Sequence, residues 1–213
     1  MAGQILLDDP AIGLVATANL TRGKGGISSD FTDQDWIRAI RHGLNKQNKA
    51  LVVMPSQEFN VLSDKDLGAL IAYCKSVDPV DNELPECVLR PMGKILVLFN
   101  KIEPFSAEII NHNFIQPKEV HKEISAKYGK YLSVTCQGCH KLDFNGGDSP
   151  VPGFPPPPNF TANGSLKTYT EHDFINVLQT GKTPDGRQLD NKYMPWEMTK
   201  SFTEDEIKSL YLI

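Results

Sequence analysis

The sequence predicts an all-α protein with two tandem domains that are joined by a long connection. Apolar residues recur at the spacing of an amphipathic helix in both halves of the chain. Prolines interrupt the stretch between the halves, and the halves match one another in register. We therefore expect a first domain at residues 1–80, a connection at 81–118 and a second domain at 119–213.

The first half begins with a segment that is expected to lack regular structure. Residues 1–30 are predicted to be loop-like, partly because Asp9-Pro10 interrupts them. A helix then begins after a cap formed by Asp30 or Thr32 and ends near Gly43. Its apolar positions are Trp36, Ile37, Ile40 and Leu44.

A second helix is predicted after Ser63, and Asp78-Pro79 ends it. Its apolar face comprises Leu67, Leu70, Ile71 and Cys74. Within the connection, residues 93–99 form a short apolar run that is either a helical turn or an extended piece, and we expect it to pack across an interdomain face.

The second half carries three predicted helices. The first runs from about Glu119 to Thr135, and its Gly129 would let another helix approach closely. The second covers residues 173–179, and the third begins after Thr203. Between the first two lies a proline-rich segment, residues 150–158, which is expected to be a stiff loop.

The most informative motif is Cys136-Gln137-Gly138-Cys139-His140. Two cysteines with two residues between them and a histidine directly after them are the attachment signature of a c-type haem. The two thiols can add to the two vinyl groups of one porphyrin, and the histidine can then ligate the iron. The motif predicts one haem c in this chain, held by Cys136, Cys139 and His140.

A second axial ligand must come from elsewhere in the chain. Met194 is the preferred candidate, because its thioether lies in a loop with Pro195 and Trp196 and suits the distal side of a His/Met haem. Met194 could instead be a plain core methionine. Met198 is the nearest rival, and His172 is a weaker one.

Three other interpretations of the motif compete with haem attachment. A zinc site needs a second ligand pair, but Cys74 and Cys87 are thirteen residues apart and distant in sequence. A thioredoxin-type redox pair needs a preceding strand and a βαβ unit, which the sequence does not predict. A structural disulfide between Cys136 and Cys139 would leave His140 unexplained.

The two halves also read as copies of one unit. Asn19-Leu20-Thr21 matches Asn159-Phe160-Thr161, and each lies 35 residues before a Met-Pro pair, at Met54 and Met194. Ser63 follows Met54 by nine residues, and Thr203 follows Met194 by nine. Met54 is therefore the counterpart of the distal ligand, but without a haem in its half it is expected to be an ordinary methionine.

This register predicts that the chain is truncated at both ends relative to a parent with two haems. The counterpart of His140 would fall just before Met1, and the last helix stops short of its counterpart in the first half. The alternative is a gene that lost its first haem site. Residues 1–9 lack the basic and apolar regions of a signal peptide, which truncation would also explain.

Composition narrows the classes of partner. The net charge of −4 argues against nucleic acid, and no run of 18 apolar residues is present to span a membrane. An acidic patch near residues 64–86 is either a solvated face or a docking bias toward a basic partner.

Cys74 and Cys87 either pair in an oxidising compartment or remain thiols, with Cys74 buried. His42 is expected to be a solvated helix residue.

The combined pattern resembles bacterial diheme class I cytochromes c. It includes the Cys-Gln-Gly-Cys-His motif, Pro152-Gly153-Phe154 with the prolines after it, Asn159-Phe160-Thr161, Gly181 with Asp185-Gly186, and Met194-Pro195-Trp196. The first half, with Arg41-His42-Gly43 and Met54-Pro55, is similar to the cytochrome c subunits of membrane-bound alcohol and aldehyde dehydrogenases. The departure is that the first half has no haem attachment motif.

The resemblance implies two tandem cytochrome c-like domains, with a second haem only in a full-length parent. It implies that a proline carbonyl after the motif holds the second ring nitrogen of His140, with Pro155–Pro158 as candidates. Phe154, Tyr169 and Trp196 are candidates to line the haem, or they are core aromatic residues.

The implied function is electron transfer. His/Met ligation leaves no open position on the iron, so the chain is expected to be an electron carrier or an electron-transfer subunit rather than an enzyme. It would pass single electrons from a dehydrogenase or quinol to a respiratory acceptor, in the periplasm or at the outer face of the inner membrane. The alternative is a peroxidase-like haem enzyme or a sensor with an open distal site, which would apply if Met194 does not ligate.

Overall fold

The computed structural model describes residues 1–99, 105–149, 153–161 and 163–213. It is mostly helical, and it divides into two compact units, Met1–Glu119 and Val120–Ile213. The predicted division into residues 1–80, 81–118 and 119–213 remains a prediction. Part of the predicted proline-rich loop, residues 150–152, lies outside the described residues.

The first unit contains a small antiparallel sheet that the all-α prediction missed. Its strands are β1 (Ile5–Asp9), β2 (Gly13–Ala16) and β3 (Val88–Leu89), in the order β1-β2-β3. The loop prediction for residues 1–30 is therefore wrong in part. Asp9 explains the error, because its carboxylate accepts hydrogen bonds from the backbone N–H groups of Ala11 and Ile12, both at 2.8 Å. Asp9-Pro10 thus forms the turn of a hairpin.

The helices of the first unit are α1 (Asp33–His42), α2 (Ser56–Phe59), α3 (Asp64–Ser76), α4 (Pro91–Leu98) and α5 (Ser106–Ile109). The predicted starts of α1 and α3 are confirmed: Thr32 and Ser63 are their N-caps, and Gly43 ends α1 in a left-handed conformation. The apolar run of residues 93–99 takes the helical alternative, in α4.

One hydrophobic core holds the first unit together. It comprises Trp36, Ile40, Leu67, Ile71 and Cys74. Met54 is half-buried and packs against this core. Cys74 and Cys87 are free thiols: Cys74 is buried in the core, which raises the pKa of its thiol, and Sγ of Cys87 lies 3.3 Å from the backbone nitrogen of Ala16.

The helices of the second unit are α6 (Ala126–Leu132), α7 (Val134–His140), α8 (Glu171–Thr180), α9 (Trp196–Thr199) and α10 (Glu204–Tyr211), with a 3₁₀ turn at Ser165–Thr168. The helix predicted for residues 119–135 begins later and breaks at Ser133, which ends α6 and begins α7. The predicted helix at residues 173–179 lies within α8, and the predicted Thr203 cap begins α10.

Helices α6 and α10 cross closely at Gly129. A Cβ atom on Gly129 would lie 1.9 Å from the carbonyl oxygen of Ser209, so only glycine allows this approach. The predicted role of Gly129 is therefore confirmed. A core of Leu178, Ile207 and Leu210 closes the unit, and Leu132, Phe174 and Met194 are among the half-buried residues that pack against it.

The two units repeat the same local geometry. In each, an asparagine carboxamide oxygen accepts hydrogen bonds from the backbone N–H and the hydroxyl of the threonine two residues later, at Asn19/Thr21 and at Asn159/Thr161. Pro55 and Pro195 have nearly identical backbone angles, with φ/ψ of −78°/60° and −76°/62°. The sequence register between the halves is thus also a structural register.

No helix in the described part of the chain combines the length and the apolar character that crossing a membrane would require.

Candidate functional site

The Cys136–His140 motif forms the second part of α7. Residues at positions i, i+3 and i+4 of a helix share one side, so Cys136, Cys139 and His140 lie along the same face of α7. Cys136 is half-buried and Cys139 is exposed, whereas His140 is buried. The helix therefore directs its histidine inward and keeps its thiols close to the surface.

The chain turns sharply after His140. Lys141 has a φ of 64° and Phe144 a φ of 56°, which are uncommon values for residues other than glycine. The backbone N–H of Gly146 then donates to the carbonyl of His140 at 3.3 Å. This turn ends α7 and sends the chain back alongside its own helix end.

Two hydrogen bonds fasten the proline-rich segment to this turn. The N–H of Gly147 donates to the Pro157 carbonyl at 3.0 Å, and the N–H of Phe160 donates to the Phe144 carbonyl at 2.8 Å. A Cβ on Gly146 would lie 2.2 Å from the Pro157 carbonyl oxygen, so this approach also requires glycine. The turn thereby brings the end of the proline-rich segment to His140.

His140 lies in an apolar and aromatic environment. Its side chain is only 6% exposed, and its ring stacks on Phe160 with the ring centroids 4.1 Å apart. Burial lowers the pKa of His140, and the backbone carbonyl of Pro158 opposes this effect by raising it. The lowering is the larger effect, and it favours the neutral form of the imidazole, which is the form that can ligate a metal.

The surroundings of the second ring nitrogen of His140 agree only in part with the expectation that a proline carbonyl holds it. Nδ1 is buried and forms no hydrogen bond within the described residues. The backbone carbonyl of Pro158 raises the pKa of His140 as a hydrogen-bond acceptor. Pro158 is thus the member of the predicted Pro155–Pro158 set that influences this histidine.

Met194 lies in the loop before α9. Its backbone N–H donates to the Asp190 carbonyl at 3.0 Å, and the N–H of Trp196 donates to the Met194 carbonyl at 2.7 Å. The side chain is half-buried against the core cluster of Leu178, Ile207 and Leu210. Its rivals are more open: Met198 is 53% exposed, and His172 lies on the exposed side of α8.

Aromatic side chains surround this loop. Phe154 and Tyr193 meet edge to face with their centroids 5.1 Å apart, and Nζ of Lys192 lies 5.9 Å and 5.3 Å from the two rings. The indole N–H of Trp196 donates to the Leu189 carbonyl at 3.1 Å, and this hydrogen bond stabilises the conformation of the loop. Burial raises the pKa of Tyr169, whose backbone carbonyl accepts a hydrogen bond from the Tyr211 hydroxyl.

Sequence reasoning gave no role to Phe160 and Tyr193. Phe160 contacts His140 only because the turn at residues 141–147 returns the chain, a feature without a periodic signal in the sequence. The one clue was its position inside the repeated Asn-x-Thr motif, where the asparagine and threonine fix the turn and leave the middle residue to pack.

Among the described residues, the structure lacks the surroundings that two of the other interpretations of the motif require. The element before α7 is helix α6 rather than the strand that a thioredoxin-type pair needs. Within the described ranges, no group of three or more His, Cys, Asp or Glu side chains is arranged to hold a metal ion, as a zinc site would require.

Comparison with known proteins gives two relatives, and both are cytochrome subunits of dehydrogenases. The chain is 34% identical over 91 residues to the gluconate 2-dehydrogenase cytochrome c subunit of Pantoea cypripedii, covering 39% of this chain and 20% of that protein. It is 31% identical over 91 residues to the fructose dehydrogenase cytochrome subunit of Gluconobacter japonicus, covering 42% and 18%. No protein-family model matches the chain.

The chain spans about a fifth of the length of these relatives. The matches support a cytochrome c-like relationship for the matched part of this chain.

Proposed function

We propose that this chain is an electron-transfer cytochrome c with one covalently attached haem. Cys136 and Cys139 would form the two thioether bonds, and His140 and Met194 would ligate the iron. The bound haem supplies reversible one-electron chemistry between ferrous and ferric iron. The observation that carries the proposal is the face of α7 on which the half-buried Cys136 and the exposed Cys139 precede a buried histidine whose pKa is lowered by burial.

The residues present fit such a group. A haem needs thiols that a vinyl group can reach, and the thiols of α7 lie near the surface, with Cys139 exposed. It needs an imidazole with a free lone pair and a fixed ring, which burial and Phe160 provide at His140. Its large apolar surface needs similar neighbours, and Phe160 is one such neighbour beside His140.

The ligands that this chain provides would then influence which oxidation state of the iron is favoured. The lowered pKa of His140 would favour the neutral form of this ligand, and the thioether of Met194 would favour ferrous iron. Two axial ligands leave no position for a substrate, so we propose a carrier rather than an enzyme. A peroxidase-like site is the alternative and requires that Met194 does not ligate.

The proposed partner is a dehydrogenase subunit. Both relatives are named as cytochrome subunits of sugar or sugar-acid dehydrogenases, which supports a dehydrogenase donor. A quinol donor and a respiratory acceptor belong to the same proposal. Because haem c attachment in bacteria takes place outside the cytoplasm, we place the working protein in the periplasm or at the outer face of the inner membrane. We also propose that a parent form with two haems underlies the repeated register.

The test is the number of covalent haems per chain. The chain is produced with periplasmic export, and its mass and its alkaline pyridine spectrum are measured. We expect one haem, and we expect none in the variant with Cys136→Ser and Cys139→Ser. A matched control replaces Cys74 and Cys87 by serine and should keep the haem. Exported wild-type protein without haem would refute the proposal.

A further inference from the structure

Two histidines meet on the first unit, away from the proposed haem site. Nδ1 of His42, at the end of α1, lies 3.0 Å from Nδ1 of His112, in the loop after α5. The prediction of a merely solvated His42 is therefore wrong, because its ring is half-buried and has a defined partner. Neither histidine has a role in the proposed electron transfer, and their contact does not depend on a haem.

The hydrogen bonds define the tautomers of this pair. Nε2 of His112 lies 2.8 Å from the Ala107 carbonyl, and a carbonyl only accepts, so Nε2 carries a proton. Nδ1 of neutral His112 is then a bare lone pair, and Nδ1–H of His42 donates to it. The rings are 15° from parallel and their centroids are 5.2 Å apart, a separation that corresponds to rings meeting edge to edge. A single proton thus joins the two Nδ1 atoms.

This bond fastens a short turn, residues 107–114, to the end of α1. Within the turn, the bond from His112 to the Ala107 carbonyl returns the loop to α5. The turn also lies close to the residue that ends α1, because a Cβ on Gly43 would be 3.3 Å from the backbone nitrogen of Ala107. The bond between the histidines is therefore the place where protonation can act on the attachment of this turn.

The pair can accept one extra proton without losing its contact. A proton added to Nε2 of His42 leaves its Nδ1–H donating to the lone pair of His112. A second extra proton has only Nδ1 of His112 to bind, because Nε2 of that ring already carries one. Two N–H groups of two cations would then face each other across 3.0 Å, so the contact breaks.

The cations near the pair add to this effect. Burial lowers the pKa of His42, and the charges of His112, Arg41 and Arg38 lower it further. Arg38 also lines the cavity of about 270 Å³ beside the two rings, and the other side chains of that lining carry no negative charge. The surroundings thus oppose a doubly protonated pair.

The carboxylates of the neighbouring short helices do not offset these charges. Glu58 belongs to α2, and burial is the sole cause that raises the pKa of its carboxyl, without a contribution from either histidine. Glu108 belongs to α5 and is exposed, and in the described part of the chain it forms no ion pair with either ring. No anion of these helices is therefore placed to hold the two rings together once both are charged.

We propose that His42 and His112 form a pH-sensitive latch, which is closed while the pair carries at most one extra proton and open when it carries two. Opening detaches the turn at residues 107–114 from the end of α1. Since the first charge lies so close, the second proton binds below the ordinary histidine pKa of about 6.5, and the latch opens as the pH falls through that second step. Such a latch would respond to the pH outside the cytoplasm, where we place the protein.

The test is a pH titration of the intact chain, followed by NMR, with an attached haem kept reduced so that its iron is diamagnetic. The chain has five histidines, so their ring-proton signals can be assigned individually. We expect His42 and His112 to titrate as a coupled pair in two steps. The amide signals of residues 107–114 should shift only with the second step. The hydrogen-exchange protection factors of Ile110 and Phe114 should fall there by about threefold to tenfold, the net value of one hydrogen bond.

Two variants and one control complete the test. His42→Leu and His112→Leu each remove one partner, so the amide signals of the turn should already resemble the acid form at neutral pH, and the remaining histidine should titrate in one step. The matched control is His172→Leu, which removes an exposed histidine of the other unit and should preserve both steps.

The proposal is overturned if the amide signals of residues 107–114 in the wild type stay unchanged through the second step, or if they shift with the first. It is also overturned if either variant of the pair keeps the pH response of the wild type. The titration of the wild type decides even if a variant does not fold.

Discussion

Two methionines lie four residues apart around the start of α9, in different surroundings. Met194 is half-buried against the core of its unit, and Met198 is 53% exposed. We expect Met194→Ala to open the distal side of the iron, so that CO binds rapidly and the reduction potential falls. Met198→Ala should change neither property. Both are measured by visible spectra with added CO and by a redox titration.

Met54 is the natural second control for this experiment. It has the same place in the repeat and packs against the core of the first unit, but no haem motif accompanies it. Met54→Ala should lower stability without changing the spectrum. Rapid CO binding by the wild type, or an unchanged spectrum in Met194→Ala, would instead favour the open-site alternative.

Gly129 and Gly68 both lie within helices, but replacing each by alanine is expected to change the stability in opposite directions. A methyl group on Gly129 would strike the Ser209 carbonyl at 1.9 Å, whereas Gly68 of α3 has no atom within 4 Å of its added Cβ among the described residues. Gly129→Ala should therefore destabilise by about 1–3 kcal/mol through overpacking. Gly68→Ala should stabilise by about 0.5–1 kcal/mol, because alanine restricts the unfolded chain. Urea unfolding of both variants measures the difference.

At the scale of elements, two capping boxes give a pH prediction. Asp173 accepts hydrogen bonds from the hydroxyl and the backbone N–H of Thr170, which lower the pKa of its carboxyl. Thr32 and Asp35 form the same box at the start of α1, with the same effect on the pKa of Asp35. A carboxyl with a lowered pKa in the folded state stabilises the fold above its unfolded pKa, about 3.9.

We therefore expect stability to fall as the pH drops from about 4 through the lower folded pKa values of Asp35 and Asp173. Asp173→Asn should flatten this dependence in the second unit, and Asp35→Asn should do so in the first. Unfolding midpoints in urea, taken at neutral pH and at several values below 4, provide the measurement. An equally steep loss in the double variant would assign the acid sensitivity to other groups.

Capping and periodicity explain which elements the sequence could predict. Thr32, Ser63 and Thr203 were found because a cap is a local signal within four residues. The strands were missed because β1 has only five residues and β2 only four, and because their hairpin depends on an Asx turn at Asp9. Helices α2, α5 and α9 span a single turn each, too short for a periodic pattern.

The candidate site likewise combines features that the sequence could predict with features that it could not. Its chemistry was readable from Cys136, Cys139 and His140, because the motif is contiguous. The stacking of Phe160 on His140 and the influence of Pro158 were not, because they depend on a turn with positive φ at Lys141 and Phe144. The pairing of His42 with His112 joins residues 70 positions apart, beyond any local rule.

At the scale of the whole molecule, each unit closes its own core. The second unit contains the α6–α10 crossing, the core of Leu178, Ile207 and Leu210, and every proposed haem ligand. We therefore predict that residues 120–213, produced alone with export, fold cooperatively and carry one haem. A core this small is marginal without help, so the fragment should depend on the haem for stability.

The comparison that checks this prediction uses three proteins: the 120–213 fragment, the same fragment with Cys136→Ser and Cys139→Ser, and the 1–119 fragment. The first should match the haem spectrum of the full chain and unfold at a higher temperature than the second. The third should contain no haem, because its half lacks the attachment motif although it repeats the surrounding geometry. If the first fragment is unfolded even with haem attached, the second unit is not an independent domain, and the division of the chain into two tandem domains fails with it.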